Sequence, residues 1–159
     1  MYKHHYETGG FVSAGSEAVF DELDQHERLS AHMMQSSRMM AGGAMALKLD
    51  HGKGRQIGSL MSLQGQVLGV PIGVEQMVID HTPPQQKVWE TVGEPRLLVI
   101  GRYKMGFTVV PRPGGSMLTV FIDYDLPTGG WKIVGLLLGR FYARWCATNI
   151  VSGIVNRFV

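Results

Sequence analysis

Between residues 44 and 126 the apolar side chains recur with a period of two, cut at short intervals by Gly and Pro turns. Beyond residue 130 the period becomes helical and stays so nearly to the C-terminus. This switch constrains the fold more than any other feature. Met45, Leu47 and Leu49 alternate with Ala46, Lys48 and Asp50, as a half-buried strand requires. His51-Gly52-Lys53-Gly54 is a turn. Further strands are predicted over 56–65 with a bulge at Gly58, over 73–81, over 87–92 around Trp89, over 97–110 and over 117–126. Thr82-Pro83-Pro84 stops the 73–81 strand, because proline cannot donate to a ladder. Gly93-Glu94-Pro95, Pro111-Arg112-Pro113-Gly114-Gly115 and Pro127-Thr128-Gly129-Gly130 separate the later ones. Upstream, 4–12 reads as a first strand. Val19, Phe20 and Leu23 give a short helix over 17–24, and Leu29 with Met33 a second over 26–34. One strand, two short helices, about six consecutive strands and a long helix to about Phe158 make an α+β fold with a meandering antiparallel sheet.

The length of 159 residues suits one domain spanning 1–159. With 45% hydrophobic and 18% charged residues the chain has apolar material for a core, which excludes a disordered polymer. A formal net charge of +2 advertises no nucleic-acid surface. Cys146 is the only cysteine, so no internal disulfide framework or Cys-based zinc cluster is expected. The six histidines show no metal spacing, and no cofactor is expected. There is no Walker loop, G-x-G-x-x-G or G-x-S-x-G elbow. The first residues lack the apolar run of a signal peptide. The apolar stretch 133–159 is broken by Arg140 and Arg144 and falls short of a spanning helix. A cytoplasmic protein with no stable membrane insertion is the expectation.

The order of elements, with Gly114-Gly115-Ser116-Met117-Leu118-Thr119-Val120-Phe121-Ile122-Asp123-Tyr124-Asp125-Leu126-Pro127 as last strand and Val78-Ile79-Asp80-His81-Thr82-Pro83-Pro84 as mid-sheet strand, resembles the START-like superfamily. This superfamily, also called SRPBCC or helix-grip, includes birch-pollen-allergen proteins and polyketide cyclases. The resemblance spans essentially the whole chain. It implies a curved sheet gripping the C-terminal helix around a hydrophobic cavity. The partner it implies is a hydrophobic or amphipathic small molecule, such as a lipid, quinone or polyketide.

Candidate ligand contacts follow from that expectation. On the last strand Leu118, Val120, Ile122 and Tyr124 share one face, which by resemblance looks into the cavity. Tyr103, Trp89, Leu137 and Phe141 join them. Arg140 and Arg144 either snorkel to the rim or pair with a carboxylate. Met33 and Met40, in a methionine-rich stretch, suit a surface that moulds to apolar ligands. A cyclase or dehydratase would instead need a cavity acid or base, with His81, Glu75 and Asp80 as candidates. A period of two puts Glu75, Met77, Ile79 and His81 on one side. Met117 and Phe121, on the opposite face of the last strand, leave two readings: a subunit contact, as in a homodimer or protein-interaction module, or scattered surface hydrophobes. The long helix holds a conflict. Ala147, Ile150, Val151, Ile154 and Phe158 form an apolar stripe whose backward projection reaches Arg140 and Arg144, whereas Val134, Leu138, Phe141 and Trp145 form an opposite one.

Overall fold

The computed structural model describes residues 1–29 and 44–159. Its elements run β1 (His4–Val12), α1 (Ser16–Asp24), α2 (His26–Leu29), β2 (Ala44–Leu49), β3 (Leu60–Val67), β4 (Val70–Thr82), β5 (Gln86–Arg96), β6 (Tyr103–Arg112), β7 (Gly115–Tyr124) and, after a 3-10 turn at Gly129–Trp131, α3 (Lys132–Arg157). All strand pairs are antiparallel. The order across the sheet is β1-β7-β6-β5-β4-β3-β2, so β1 crosses over to pair with β7 and every other neighbour is a hairpin. This is the α+β helix-grip architecture, with one curved seven-stranded sheet and α3 laid against it.

Period-two burial shows why these segments are strands. Ser116, Leu118, Val120, Ile122 and Tyr124 are buried, while the residues between them are only partly covered. The buried set forms the core with Trp89, Tyr103, Met105 and Phe107 of neighbouring strands and Ala143, Cys146, Ala147 and Ile150 of α3.

Several strand limits differ from the sequence reading. The predicted 56–65 strand starts only at Leu60, because Asp50 gathers the preceding turns. Its carboxylate accepts from the Gly52 and Leu60 amides and from the Ser59 hydroxyl. β5 continues past Gly93 to Arg96; a register shift between Gly73 and Glu75 of β4 absorbs the extra β5 residues. The predicted 97–110 strand is two things. Residues 97–102 leave the sheet to lie under α3, and β6 begins at Tyr103.

The conflict along α3 resolves through glycine. The buried stripe runs Gly135, Gly139, Tyr142, Ala143, Cys146, Ala147, Ile150, Val151, Ile154. It keeps to one side because two glycines continue the inner face where larger apolar residues do not. A Cβ on Gly135 would lie 2.4 Å from Pro127 Cδ and 2.9 Å from the Val99 carbonyl oxygen, and one on Gly139 3.1 Å from that same oxygen. The backbone of α3 therefore touches the 97–102 segment directly. Ile133, Leu136, Leu137, Leu138 and Phe141 are left on the exposed side.

The two kinds of glycine on this helix should respond oppositely. Gly153 has open space around its missing Cβ, so Gly153→Ala should stabilise by up to about 1 kcal/mol through helix propensity. Gly135→Ala has the same propensity gain but forces the helix off Pro127 and Val99, and should cost a net of about 1–2 kcal/mol from overpacking. Urea unfolding midpoints of the two variants check this. Equal stabilisation by both would refute the glycine contact.

Candidate functional site

Two neighbouring groups of side chains lie between the sheet and the helices, one apolar and one charged. The apolar group surrounds a cavity of about 30 Å³, the room of about one water molecule. Leu29 of α2, Leu63 of β3, Gln76 of β4, Trp89 of β5, Tyr103 and Met105 of β6, Ile122 of β7 and Tyr142, Cys146 and Ile150 of α3 line it, with Leu97 and Ile100 closing one end. Each strand contributes the residue its inner phase dictates. On β4 that phase reads Ile72, Val74, Gln76, Val78, all buried, so Gln76 is one amide in an apolar row.

Gln76 is 2% exposed. Its Oε1 accepts a 2.7 Å hydrogen bond from the Tyr103 hydroxyl, and its Nε2 makes none. The amide is thereby turned with its acceptor occupied and its donor free. A buried unpaired donor costs about 1–3 kcal/mol, so a ligand acceptor placed there would recover that free energy. The titratable side chains of the lining resist ionisation. Burial pushes Cys146 up to about 12 and holds the Tyr103 and Tyr142 hydroxyls above their usual range. The cavity is thus neutral at physiological pH and matched to an uncharged guest.

The charged group sits beside it under α1. Asp24, the last residue of α1, is buried, with its carboxylate 3.3 Å from Lys87 Nζ and 3.0 Å from His81 Nε2. Arg55 Nε approaches to 3.5 Å from the more exposed side. Lys87 is 0% exposed and also donates to the Asp24 carbonyl oxygen. It therefore caps the negative end of a helix that finishes on an acid. Its ammonium lies 5.8 Å from the centre of the Trp89 ring, within cation–π range. Burial lowers Lys87 to about 8, against the pull of Asp24. Burial, and then the Lys87 charge, holds His26 well below the ordinary imidazole range.

A β-bulge delivers His81 to this cluster. The register passes from Val78↔Trp89 to Asp80↔Val88, so β4 carries one extra residue there. Beyond the bulge His81 pairs with Lys87 and turns inward to Asp24 and the edge of the Phe20 ring. Glu75, before the bulge, is exposed on the opposite face. The expected common side for Glu75 and His81 is therefore corrected: an uninterrupted period of two does not hold across residues 78–80. Asp80 is occupied by the Thr82 hydroxyl and the Gln86 amide. None of the three is among the cavity-lining residues described.

The other expected contacts divide into four sets. Trp89, Tyr103 and Ile122 line the cavity. Leu118, Val120 and Tyr124 are on the same inner face but packed into the core, Tyr124 stacked on His4. Leu137 and Phe141, at 67% and 60% exposure, lie outside, as do Arg140 and Arg144. The glycine stripe takes the inward positions that Leu137 and Phe141 were expected to fill, and Arg140 and Arg144 stand on the exposed side. Met33 and Met40 lie outside the described residues. The other nine lining residues, Gln76, Tyr142, Cys146 and Ile150 among them, are not in the expected set. The lone amide in the period-two row Ile72, Val74, Gln76, Val78 is the signal that would have found Gln76.

No family model matches this sequence, and no curated protein matches it. Solved structures do match its fold. The Zhui aromatase/cyclase from Streptomyces sp. R1128 superposes with a TM-score of 0.70 at 11% identity, over 97% of this chain and 92% of that one. The protein TTHA0849 from Thermus thermophilus gives 0.65 at 14% identity, over 98% and 97%. Ara h 8.0201 gives 0.57 at 10% identity, over 94% and 98%. The chain shares the helix-grip fold of these structures.

The buried lysine makes stability depend on alkaline pH. Lys87 titrates at about 8 in the folded protein and near 10.4 when unfolded. Between those values the unfolded chain holds the lysine proton that the folded one has lost, so Lys87 adds stability as pH increases through the window, while Cys146, Tyr103 and Tyr142, raised in the folded protein, act in the opposite direction. Below about 8 both states hold the proton and the effect is flat. Lys87→Met removes only the lysine's contribution, so its stability should fall more, or rise less, than that of the wild type between pH 7.5 and 10, measured as urea midpoints.

Proposed function

We propose that this protein binds a neutral, largely apolar small molecule carrying an acceptor oxygen, in the space between the sheet and α3. The free Nε2 of buried Gln76 carries this reading: it is a donor pointed by Tyr103 and surrounded by apolar side chains. Apolar burial would supply most of the affinity and the amide the orientation. A quinone or polyketide carbonyl, or a lipid ester carbonyl, has this chemistry; a carboxylate does not, since no cation lines the cavity among the described residues. One structural neighbour is an aromatase/cyclase, which agrees with a polycyclic, carbonyl-bearing guest.

The present volume of about 30 Å³ is too small for such a molecule. A ligand must gain room by outward movement of α3 and of the lining side chains. Surface grooves meet the cavity at two ends and mark routes in. One, of about 400 Å³, shares Leu29 and Ile150 with it; the other, of about 350 Å³, shares Leu97.

The acid–base alternative has less support. His81 is held by Asp24 outside the cavity, and the cavity's own hydroxyls and thiol stay protonated. A transfer of protons near neutral pH therefore has no cavity-lining group to carry it among the described residues.

The test is titration of the purified protein with 1,4-naphthoquinone, followed through quenching of tryptophan emission. Gln76→Leu should weaken binding by roughly tenfold, the loss of one hydrogen bond worth about 1–1.5 kcal/mol. Paired with Tyr103→Phe, which removes the hydroxyl left without its acceptor, it should retain or raise thermal stability. Binding unchanged in the double variant, or no binding by the wild type, would overturn the reading.

A further inference from the structure

The outer face of α3 is apolar where a solvated helix would be polar. Ile133, Leu137 and Phe141 follow one another at i,i+4 and form a continuous exposed ridge. Leu136, Arg140 and Arg144 form the next ridge beside it. Trp131 stands at the start of the helix, 42% exposed. Neither ridge is among the residues that line the cavity.

A further exposed leucine belongs to another element. Leu68, at the tip of the β3–β4 hairpin, is 81% exposed and has a φ of 51°. That left-handed conformation suits Gly or Asn, so a leucine there is unfavourable for the backbone as well as for solvation. The strand that leaves this tip and Trp131 border one surface groove, through Val70 and Pro71 on one side and Trp131 on the other. Hairpin tip and helix start thus flank the same opening.

Charge selects the partner. α3 contains Lys132, Arg140, Arg144 and Arg157 and no acidic residue. Among the described residues Arg157 pairs with Glu22, whereas Lys132, Arg140 and Arg144 enter no ion pair. The groove carries Glu94 and Asp125, each about 4 Å from Arg102, together with Arg96. A second copy of the chain seated symmetrically on this face would bring its arginine ridge towards like charge, which opposes association. An anionic surface that also accepts apolar side chains satisfies both ridges at once. Tryptophan, phenylalanine and leucine on one strip with cations beside them is the composition of a helix lying in a bilayer interface. No helix among the described residues is long and apolar enough to cross a membrane.

We propose that the outer face of the N-terminal half of α3, with the tip of the β3–β4 hairpin, docks on an anionic lipid surface. The apolar ridge enters the interface, and Lys132, Arg140 and Arg144 meet the headgroups. The groove between Trp131 and Val70 then faces the bilayer.

Co-sedimentation with vesicles of phosphatidylcholine and phosphatidylglycerol tests this, with pure phosphatidylcholine vesicles for comparison. The wild type should bind the anionic vesicles more tightly and lose binding in 0.5 M salt. Arg140→Gln with Arg144→Gln should lower partition to anionic vesicles by roughly thirtyfold, at about 1 kcal/mol per cation. It should leave the neutral vesicles unaffected. Leu137→Gln with Phe141→Gln should weaken both by at least tenfold. Tryptophan emission should shift to the blue on binding, and Trp131→Phe should remove the shift. Circular dichroism of each variant should match the wild type, since every substituted side chain is on the outer face. No sedimentation with anionic vesicles, or sedimentation indifferent to both double variants, overturns the proposal. So does a wild-type dimer by light scattering that Leu137→Gln with Phe141→Gln makes monomeric, because the occupant is then a second copy.

Discussion

The contact between the α3 backbone and residues 97–102 governs the arrangement of everything around it. Gly135 and Gly139 meet the Val99 carbonyl and Pro127 without intervening side chains. Because glycine occupies the inner stripe there, the helix lies close to the sheet's open end. That close approach leaves only about 30 Å³ between Tyr142, Cys146 and the strands. It also turns the bulky residues of the same two turns outward. Closed cavity and apolar outer face are two consequences of one substitution pattern.

The polar residues of the interior follow a different logic on each side of Trp89. On one side the ring borders the apolar cavity, where Gln76 is unpaired at Nε2. On the other it lies near the Lys87 ammonium and meets His26 edge-on. Burying Asp24 and Lys87 together is tolerable only because each supplies the other's counter-charge and the lysine also closes the end of α1. The two groups differ in what they leave undone. Asp24 is surrounded by three cationic or protonatable side chains, so its charge is met within the cluster, although the neighbouring His26 Nδ1 has no hydrogen-bond partner among the described residues. The amide of Gln76 is half satisfied, and half-satisfied buried groups are where an external partner has most to offer.

Strand and helix identities were legible because they depend on local periodicity. β1, β2 and α1 appear within about a residue of their expected limits, and the α+β order is the one the switch of period implies. What could not be read depends on contacts between distant segments. The break between β5 and β6 exists because residues 97–102 pack under α3, more than thirty residues away in sequence. The bulge at Val78–Asp80 has no glycine to announce it, and it alone decides that His81 looks inward and Glu75 outward. Gln76 was readable in principle, as one amide in an alternating apolar row, but only once the phase of that row was fixed. For α3 the pattern was misread for a physical reason. Side-chain hydrophobicity marks a buried face only where burial is the sole use for an apolar residue, and here small size marks the buried face instead.

The resemblance implies a hydrophobic cavity whose apolar lining would lower the charge content, but the cavity found is too small to do so. A cavity the size of one water needs little extra apolar lining, so the core and the surface must account for the 18% charged residues. The outer face of α3 and the tip of β3–β4 place Leu68, Ile133, Leu137 and Phe141 in solvent. Full burial of each such side chain is worth about 1.5–3 kcal/mol, a free energy the isolated fold does not collect. The inner glycines make the reverse trade, giving up helix propensity for close packing. α3 is therefore a poor helix for stabilising this domain alone, with small residues inside and large ones outside. That inversion makes sense if the helix meets a second apolar phase on its outer side.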